Sequence, residues 1–275
     1  MFKPSGFGGK IFRAYLNMKN HPLKIRWLNL IGKTFFSNGI TLVDEKGLML
    51  VLNPNDWISR IMMREGEYEP DSVQLAKNLM KAGGTFIDIG ANFGLYTASI
   101  CKGNKLIKVI AAEPNFKVIP ALLNNIRVNN IESQVSVFNV AITARPAFVT
   151  MEQPALNNLG TTQTKTGAIG LLNVVGCTLE HLLKTNGVKE LALVKIDIEG
   201  NEYSVFEFFD FSTTKIRNII MEFNNLNQVG FEKLQNFFAA KGFTANDIYG
   251  QPLINAINIP ENNIWFVNKK WVRAS

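Results

Sequence analysis

The chain has 275 residues, 47% of them hydrophobic and 19% charged, a balance that supports a packed core and excludes a disordered chain. Cys101 and Cys177 match no disulfide framework or zinc spacing and read as buried free thiols, and no apolar run is long enough to span a bilayer. Seven of the 29 basic residues (Lys3, Lys10, Arg13, Lys19, Lys24, Arg26 and Lys33) precede the first acid, Asp44; the rest equal the 22 acids, so the net charge of +7 belongs to the N-terminal arm.

In that arm Ile11, Phe12, Tyr15 and Leu16 recur at helical spacing. Pro22 suits the first turn of a second helix, on which Leu23, Trp27, Leu30 and Ile31 form an apolar stripe beside Lys24, Arg26 and Lys33. Residues 1–38 are expected to be a basic amphipathic helical arm. Its stripe either caps the domain that follows, the preferred reading, or lies on an anionic membrane through residues 1–36. With no signal-peptide pattern at Met1, the expected location is the reducing cytoplasm, with membrane association through the arm as the variant.

Residues 39–82 hold a hairpin, Ile40 to Val43 and Leu48 to Leu52 around Asp44-Glu45-Lys46-Gly47, and a lead-in helix from Ser72 to Lys81 with Asp71 as its cap. From 83 to 275 strands and helices alternate. Apolar strands are predicted at Thr85 to Ile87, Ile107 to Ala112, Val135 to Val140, Leu191 to Ile196 and Ile216 to Phe223. Helices are predicted at Phe116 to Val128 (delayed or kinked by Pro120), Leu179 to Leu183, Ser204 to Phe209 and Phe231 to Ala240, and a last antiparallel pair at Phe243 to Tyr249 and Asn263 to Val267. Residues 145–176 are too long for a plain connection and predict a hairpin or lid. The fold class is α/β, a Rossmann-like doubly wound and mostly parallel sheet covered on both faces.

The first strand, Asp88 and the turn Gly90-Ala91-Asn92-Phe93-Gly94 run into a helix that starts near Leu95, the opening unit of a nucleotide-binding sheet. A dinucleotide fingerprint needs glycine at position 92, which is Asn, and Asp88 would repel a pyrophosphate. S-adenosylmethionine carries a sulfonium and an ammonium and no phosphate, so carboxylates at the turn favour it. Four strand ends bear acids, Asp88, Glu113, Asp197 and Glu222, and ligands bind beyond the carboxyl ends of such strands. Glu113 follows Gly90 at nearly the spacing of an acid that accepts from ribose hydroxyls. Taken singly, Asp88 reads equally well as a helix cap and Glu113 as a solvated strand end.

These residues also carry a resemblance. Gly66-Glu67-Tyr68-Glu69, the run from Phe86 to Thr97, Ala112-Glu113-Pro114, Asn139-Val140-Ala141-Ile142 and the K-x-D-x-E-G-x-E run from Lys195 to Glu202 are similar to the FkbM-like methyltransferases, a branch of the Rossmann-like class. Asn158-Leu159-Gly160 and Met221-Glu222 agree more weakly. The similarity covers residues 50 to 225 and leaves the arm and the C-terminal end unaccounted for. It implies S-adenosylmethionine as methyl donor, with S-adenosylhomocysteine as product, and O-methylation of a sugar, glycan, glycolipid or natural-product hydroxyl. By position it implies Asp88, Gly90, Ala91, Asn92 and Gly94 as the methionine-side loop and Glu113 as the ribose acid. It also implies Asn139 and Ala141 at the adenine edge, Tyr68 and Glu69 as a lid over the donor (or a plain structural turn), and Asn158 with Glu222 on the acceptor side.

Methyl transfer to a hydroxyl needs in-line positioning and a base. The only histidines, His21 and His181, fall in the arm and on a helix surface. Asp197 is therefore the expected base or acceptor-orienting group, with Glu199 second. Lys195 shares their strand parity and can steady oxyanion charge or sit in a buried ion pair. Glu222 can meet substrate or, with Asp197, a magnesium ion; two acids do not define a metal site. The alternatives are a ribose, RNA or peptide methyltransferase, an NAD-dependent oxidoreductase, and a non-catalytic basic binding protein. Nucleic acid is the less favoured partner, because the catalytic portion has no net positive charge and no (D/N)PP(Y/F) motif is present.

Overall fold

The protein is described by a computed structural model covering residues 1–152, 163–166, 173–198, 200, 202–223 and 228–271. Strand β1 (Lys3–Pro4) leads into helices α1 (Phe7–Asn17) and α2 (Lys24–Phe35). Strands β2 (Ile40–Val43) and β3 (Met49–Leu52) form the expected hairpin, Val43 opposite Met49, and β1 adds to β2 as a third strand. Asp44 Oδ1 closes the hairpin turn by accepting from the Lys46 and Leu48 amides, both at 2.8 Å. Asn125 and Asn129, buried on a later helix, hold β3 to the main domain by accepting from the Val51 and Met49 amides.

Helices α3 (Trp57–Glu65) and α4 (Pro70–Leu79) follow. The sequence reading gave no helix at α3, yet its signals are local: Asp56 accepts from Ser59 N at 2.9 Å, and Gly66 ends the helix at φ +85°. The expected cap of α4 is corrected. Asp71 lies inside the helix; Glu69 takes the cap position at φ +46°, and the Asp71 and Ser72 amides donate to Glu261 Oε1 and Oε2 at 3.0 and 2.8 Å. A carboxylate from the far end of the chain thus satisfies the bare donors of the first turn.

Next come β4 (Gly84–Ile89), α5 (Leu95–Cys101), β5 (Ile107–Ala112), α6 (Ile119–Val128) and β6 (Val135–Phe138). Pro120 falls in the first turn of α6 and delays its start, as expected. Strands β7 (Ala141–Ile142), β8 (Ala147–Glu152), β9 (Gln163–Thr166) and β10 (Asn173–Cys177) form a small second sheet in the order β7-β10-β8-β9, where a hairpin or lid was expected. The rest of the chain supplies α7 (Leu179–Thr185), β11 (Glu190–Leu191), β12 (Leu193–Ile196), α8 (Glu202–Glu207), β13 (Lys215–Ile216), β14 (Asn218–Glu222), α9 (Gln228–Ala240), β15 (Phe243–Asn246) and β16 (Asn263–Asn268).

The main sheet runs β15-β16-β14-β12-β4-β5-β6. The five strands from β14 to β6 are parallel, and β16 is antiparallel to both its neighbours. Alternation along each strand feeds two cores. Phe86, Ala111, Leu193 and Ile220 pack with α4, α5 and α6; Ile87, Ile110, Val194 and Ile219 pack with α7, α8 and α9. This is the doubly wound α/β class.

The arm joins the first core through Phe12, Leu16 and Leu28. Its second helix, however, departs from expectation for three of the four stripe residues. Lys24, Leu28 and Gly32 are buried and Ile31 packs against the core, while Leu23, Trp27 and Leu30 face outward. The buried side is the one that offers close approach: Gly32 packs so tightly on Asn55 that a Cβ there would lie 2.7 Å from its side-chain oxygen. Among the described residues no helix is long and apolar enough to cross a membrane.

Candidate active site

The carboxyl ends of β14, β12, β4 and β5 are adjacent, and each contributes an acid to one cleft of about 250 Å³. Glu222 is the last residue of β14, Asp197 follows β12, Asp88 sits in β4 and Glu113 follows β5. The cleft also holds Tyr68, Glu69, Gly90, Ala91, Asn92, Ala141 and Lys195, so the expected residues converge there with two exceptions among those described. Glu199 and Asn158 lie outside the described residues.

The two exceptions, Gly94 and Asn139, lie outside the cleft lining. Gly94 begins α5 at φ +85°, and a Cβ on it would meet Leu122 Cδ1 at 2.5 Å; its role is close packing, away from the cleft lining. Asn139 was expected at an adenine edge. Its Nδ2 instead donates to the backbone oxygens of Glu113 and Pro114 at 2.8 and 3.0 Å, which fixes the loop that bears Glu113.

Gly90 is where two strand ends cross. It has φ +81°, its amide donates to Ala112 O at 2.9 Å, and an added Cβ would lie 1.9 Å from Asp197 O. Only glycine fits there. Beside it, Asp88 Oδ2 accepts from Thr97 N at 3.1 Å and Thr97 Oγ1 at 2.6 Å, tying β4 to α5. Glu113 accepts from the Asn92 amide at 2.8 Å and the Asn115 amide at 2.7 Å, which holds Asn92 in its left-handed conformation at φ +48°. Each Glu113 oxygen keeps a further lone pair for a ligand, whereas Asp88 Oδ2 is filled by its two bonds from Thr97.

Burial governs the charge states. It pushes Asp88 up to about 6, against the Thr97 hydrogen bonds and Lys195. It pushes Glu113 up to about 7, against the Asn115 and Asn92 amides. Glu113 therefore takes up its proton on folding across the interval from about 4.5 to about 7. Its contribution to the stability of the free protein is full below that interval and is lost as pH rises through 7. A ligand that donates to the carboxylate has the opposite trend. Stabilisation by S-adenosylhomocysteine is expected to grow from pH 5.5 to pH 8, a span chosen to bracket about 7, and a Glu113→Gln protein should flatten that growth. Thermal unfolding with and without ligand across this range is the measurement; a ligand effect that shrinks with pH would contradict the assignment.

The other half of the cleft is built around Lys195. It stands opposite Asp88 in the β12–β4 pair, is almost wholly buried, and places Nζ 3.8 Å from Asp197 Oδ2 and 5.2 Å from the Tyr96 ring centre. Burial alone would lower its pKa, but Asp197, Glu69, Glu222 and Asp88 together raise it. Glu222 is pushed up to about 10, first by burial and then by the Asp197 carboxylate. Its carboxyl therefore stays protonated at neutral pH. Lys195 Nζ and Glu222 Oε2 are buried with no hydrogen-bond partner among the described residues.

Glu69 completes this side. Its left-handed backbone brings Oε2 to within 2.6 Å of Tyr96 OH, and burial raises its pKa. Glu69, Asp197 and Glu222 offer oxygens within 4.8 Å of one another, a set that can hold a divalent cation as well as the Lys195 ammonium. Tyr96 and Trp57, the latter 53% exposed, also line the cleft and were not assigned to it by the sequence reading, although Tyr96 lies in the motif.

A family model for the methyltransferase FkbM domain matches residues 88–245. No curated protein matches. Among solved structures, the methyltransferase FkbM from Methylobacillus flagellatus KT is 13% identical with a TM-score of 0.46, over 67% of this chain and 43% of that one. The chain thus spans less than half the length of that protein. An O-methyltransferase from Bacillus cereus, in complex with SAH, is 16% identical with a TM-score of 0.44, over 74% of this chain and 83% of that one.

Proposed function

The chain belongs to the methyltransferase FkbM domain family, and we propose that it moves a methyl group from S-adenosylmethionine to a hydroxyl of a sugar, glycolipid or natural product. The observation that carries the hydroxyl is Lys195 Nζ, buried without a hydrogen-bond partner among the described residues, with the Asp197 carboxylate 3.8 Å away. Lys195 Nζ can only donate, and Asp197 beside it can accept. A hydroxyl satisfies both at once. An amine acceptor would meet the buried ammonium.

The donor reading rests on the other half of the cleft. Gly90, Ala91 and Asn92 line it with backbone, Asp88 places a carboxylate beside them, and Glu113 offers its free lone pairs to a ribose diol. The same buried carboxylates oppose the pyrophosphate of NAD. The cofactor supplies an electrophilic methyl on a cationic sulfur. The protein supplies the rest: Asp197 takes the hydroxyl proton, Lys195 steadies the charge left on oxygen, and protonated Glu222 keeps the local charge from becoming doubly negative. Trp57 at the cleft wall gives a face on which a sugar ring can stack.

The test is a thermal-shift titration. S-adenosylhomocysteine at about 100 times its Kd should add about 2.7 kcal/mol, or roughly 5–10 °C for a chain of this size, and NAD should add nothing. A shift with NAD alone would replace the donor reading with an oxidoreductase. Mass spectrometry of extracts incubated with isotopically labelled donor then identifies the acceptor.

A further inference from the structure

We propose that residues 1–36 dock the protein on an anionic lipid surface. The inference goes beyond methyl transfer and does not rest on it. Docking onto the domain uses one side of each arm helix: Gly9, Phe12, Leu16 and in part Tyr15 on α1, and Lys24, Leu28, Gly32 and in part Ile31 on α2. The opposite sides are also apolar. Phe7 is 81% exposed, and Ile11 one turn later is exposed too; Leu23, Trp27 and Leu30 recur at the i, i+4, i+7 spacing of a single helix face. Arg26 and Lys33 project from that same side, opposite Leu28. An arm that served only as a cap would have no use for a second apolar face.

The charge complements such a surface. Lys24 is turned inward toward Met18 O and Asn20 Oδ1, but Lys3, Lys10, Lys19, Arg26 and Lys33 are exposed, and no acid precedes Asp44. Lys3, Lys10 and Arg13 line one shallow depression that suits a phosphate headgroup. Apolar side chains flanked by bases, on a short helix that cannot span the bilayer, match the headgroup–acyl boundary of an anionic leaflet. A nucleic acid would reward the bases and leave the apolar groups in water. The docking side is coupled to the cleft, because Gly32 packs on Asn55 and the next residues, from the Asp56 cap, deliver Trp57 and Ile58 to the cleft wall.

Flotation of the intact protein tests this, with vesicles of about three parts phosphatidylcholine to one of phosphatidylserine against pure phosphatidylcholine. The protein should float with the first and stay behind with the second. An Arg26→Ser/Lys33→Ser protein should partition roughly 25-fold more weakly, at about fivefold per base. A Leu23→Ser/Trp27→Ser/Leu30→Ser protein should lose at least about tenfold from apolar burial alone. All five side chains are exposed, so the melting temperature should hold, and the comparison of the two vesicle types in the unmodified protein needs no variant. Failure to float with anionic vesicles, equal flotation of all three proteins, or preferential retention by a single-stranded oligonucleotide would overturn the proposal.

Discussion

An Asp197→Asn protein is expected to lose methyl transfer by roughly two to four orders of magnitude, the usual weight of a positioned general base, while binding donor with near-normal affinity. The separation follows from the division of the cleft. Donor-side contacts come from the Gly90 turn, Asp88 and Glu113, whereas Asp197 stands beside Lys195 and Glu222. Asparagine preserves shape and removes the acceptor of the proton. It also leaves Lys195, 3.8 Å away, with one fewer compensating charge, so some loss of stability should accompany the loss of turnover. Calorimetry with S-adenosylhomocysteine and a transfer assay separate the two effects; a variant that still turns over would remove Asp197 from the chemistry.

Gly90→Ala should be the more damaging change to the fold. Two penalties coincide: a left-handed backbone at φ +81°, costing about 1–2 kcal/mol for a residue with a Cβ, and a methyl 1.9 Å from Asp197 O. The second cannot be relieved by a side-chain rotation, since the obstacle is backbone. Relief requires pulling β4 and β12 apart, at the cost of the Asp197 N to Ile89 O bond of 3.0 Å. We expect a destabilisation of about 4 kcal/mol or more, and a melting temperature lower by roughly 10 °C. Stabilisation by S-adenosylhomocysteine should also disappear. Gly187→Ala is the control: it has φ +66° and open space around it, so it should show the backbone term alone.

The parts of this architecture that the sequence discloses are those set by neighbouring residues. Alternation in Phe86-Ile87-Asp88-Ile89 announces a strand with two covered faces, and acids at the ends of apolar runs announce a polar rim. The helix α3 was equally local, since Asp56 three residues before Ser59 and Gly66 after the last turn are its signals, and its apolar residues gather on one side. What stays hidden depends on distant partners. Nothing near Glu69 or Asp71 indicates that Glu261 supplies the cap of α4. Asn139 looks like a ligand contact until its amide is seen holding Glu113 O. The orientation of α2 is ambiguous in principle, because Leu28 and the Leu23, Trp27, Leu30 set are both apolar, and packing on Asn55 chooses between them.

The bond pair between Glu261 and the start of α4 has a consequence for how the enzyme can be cut. The family match stops at residue 245, yet the residue that ties down the segment bearing Tyr68 and Glu69 lies sixteen positions later, with Tyr249 adding a grip on Asp71 at 2.7 Å. A fragment ending at the match boundary would keep every acid of the cleft and lose the clasp over it. The Tyr68–Glu69 segment is thus anchored, through the first turn of α4, to the 3-10 turn at Pro260–Asn262.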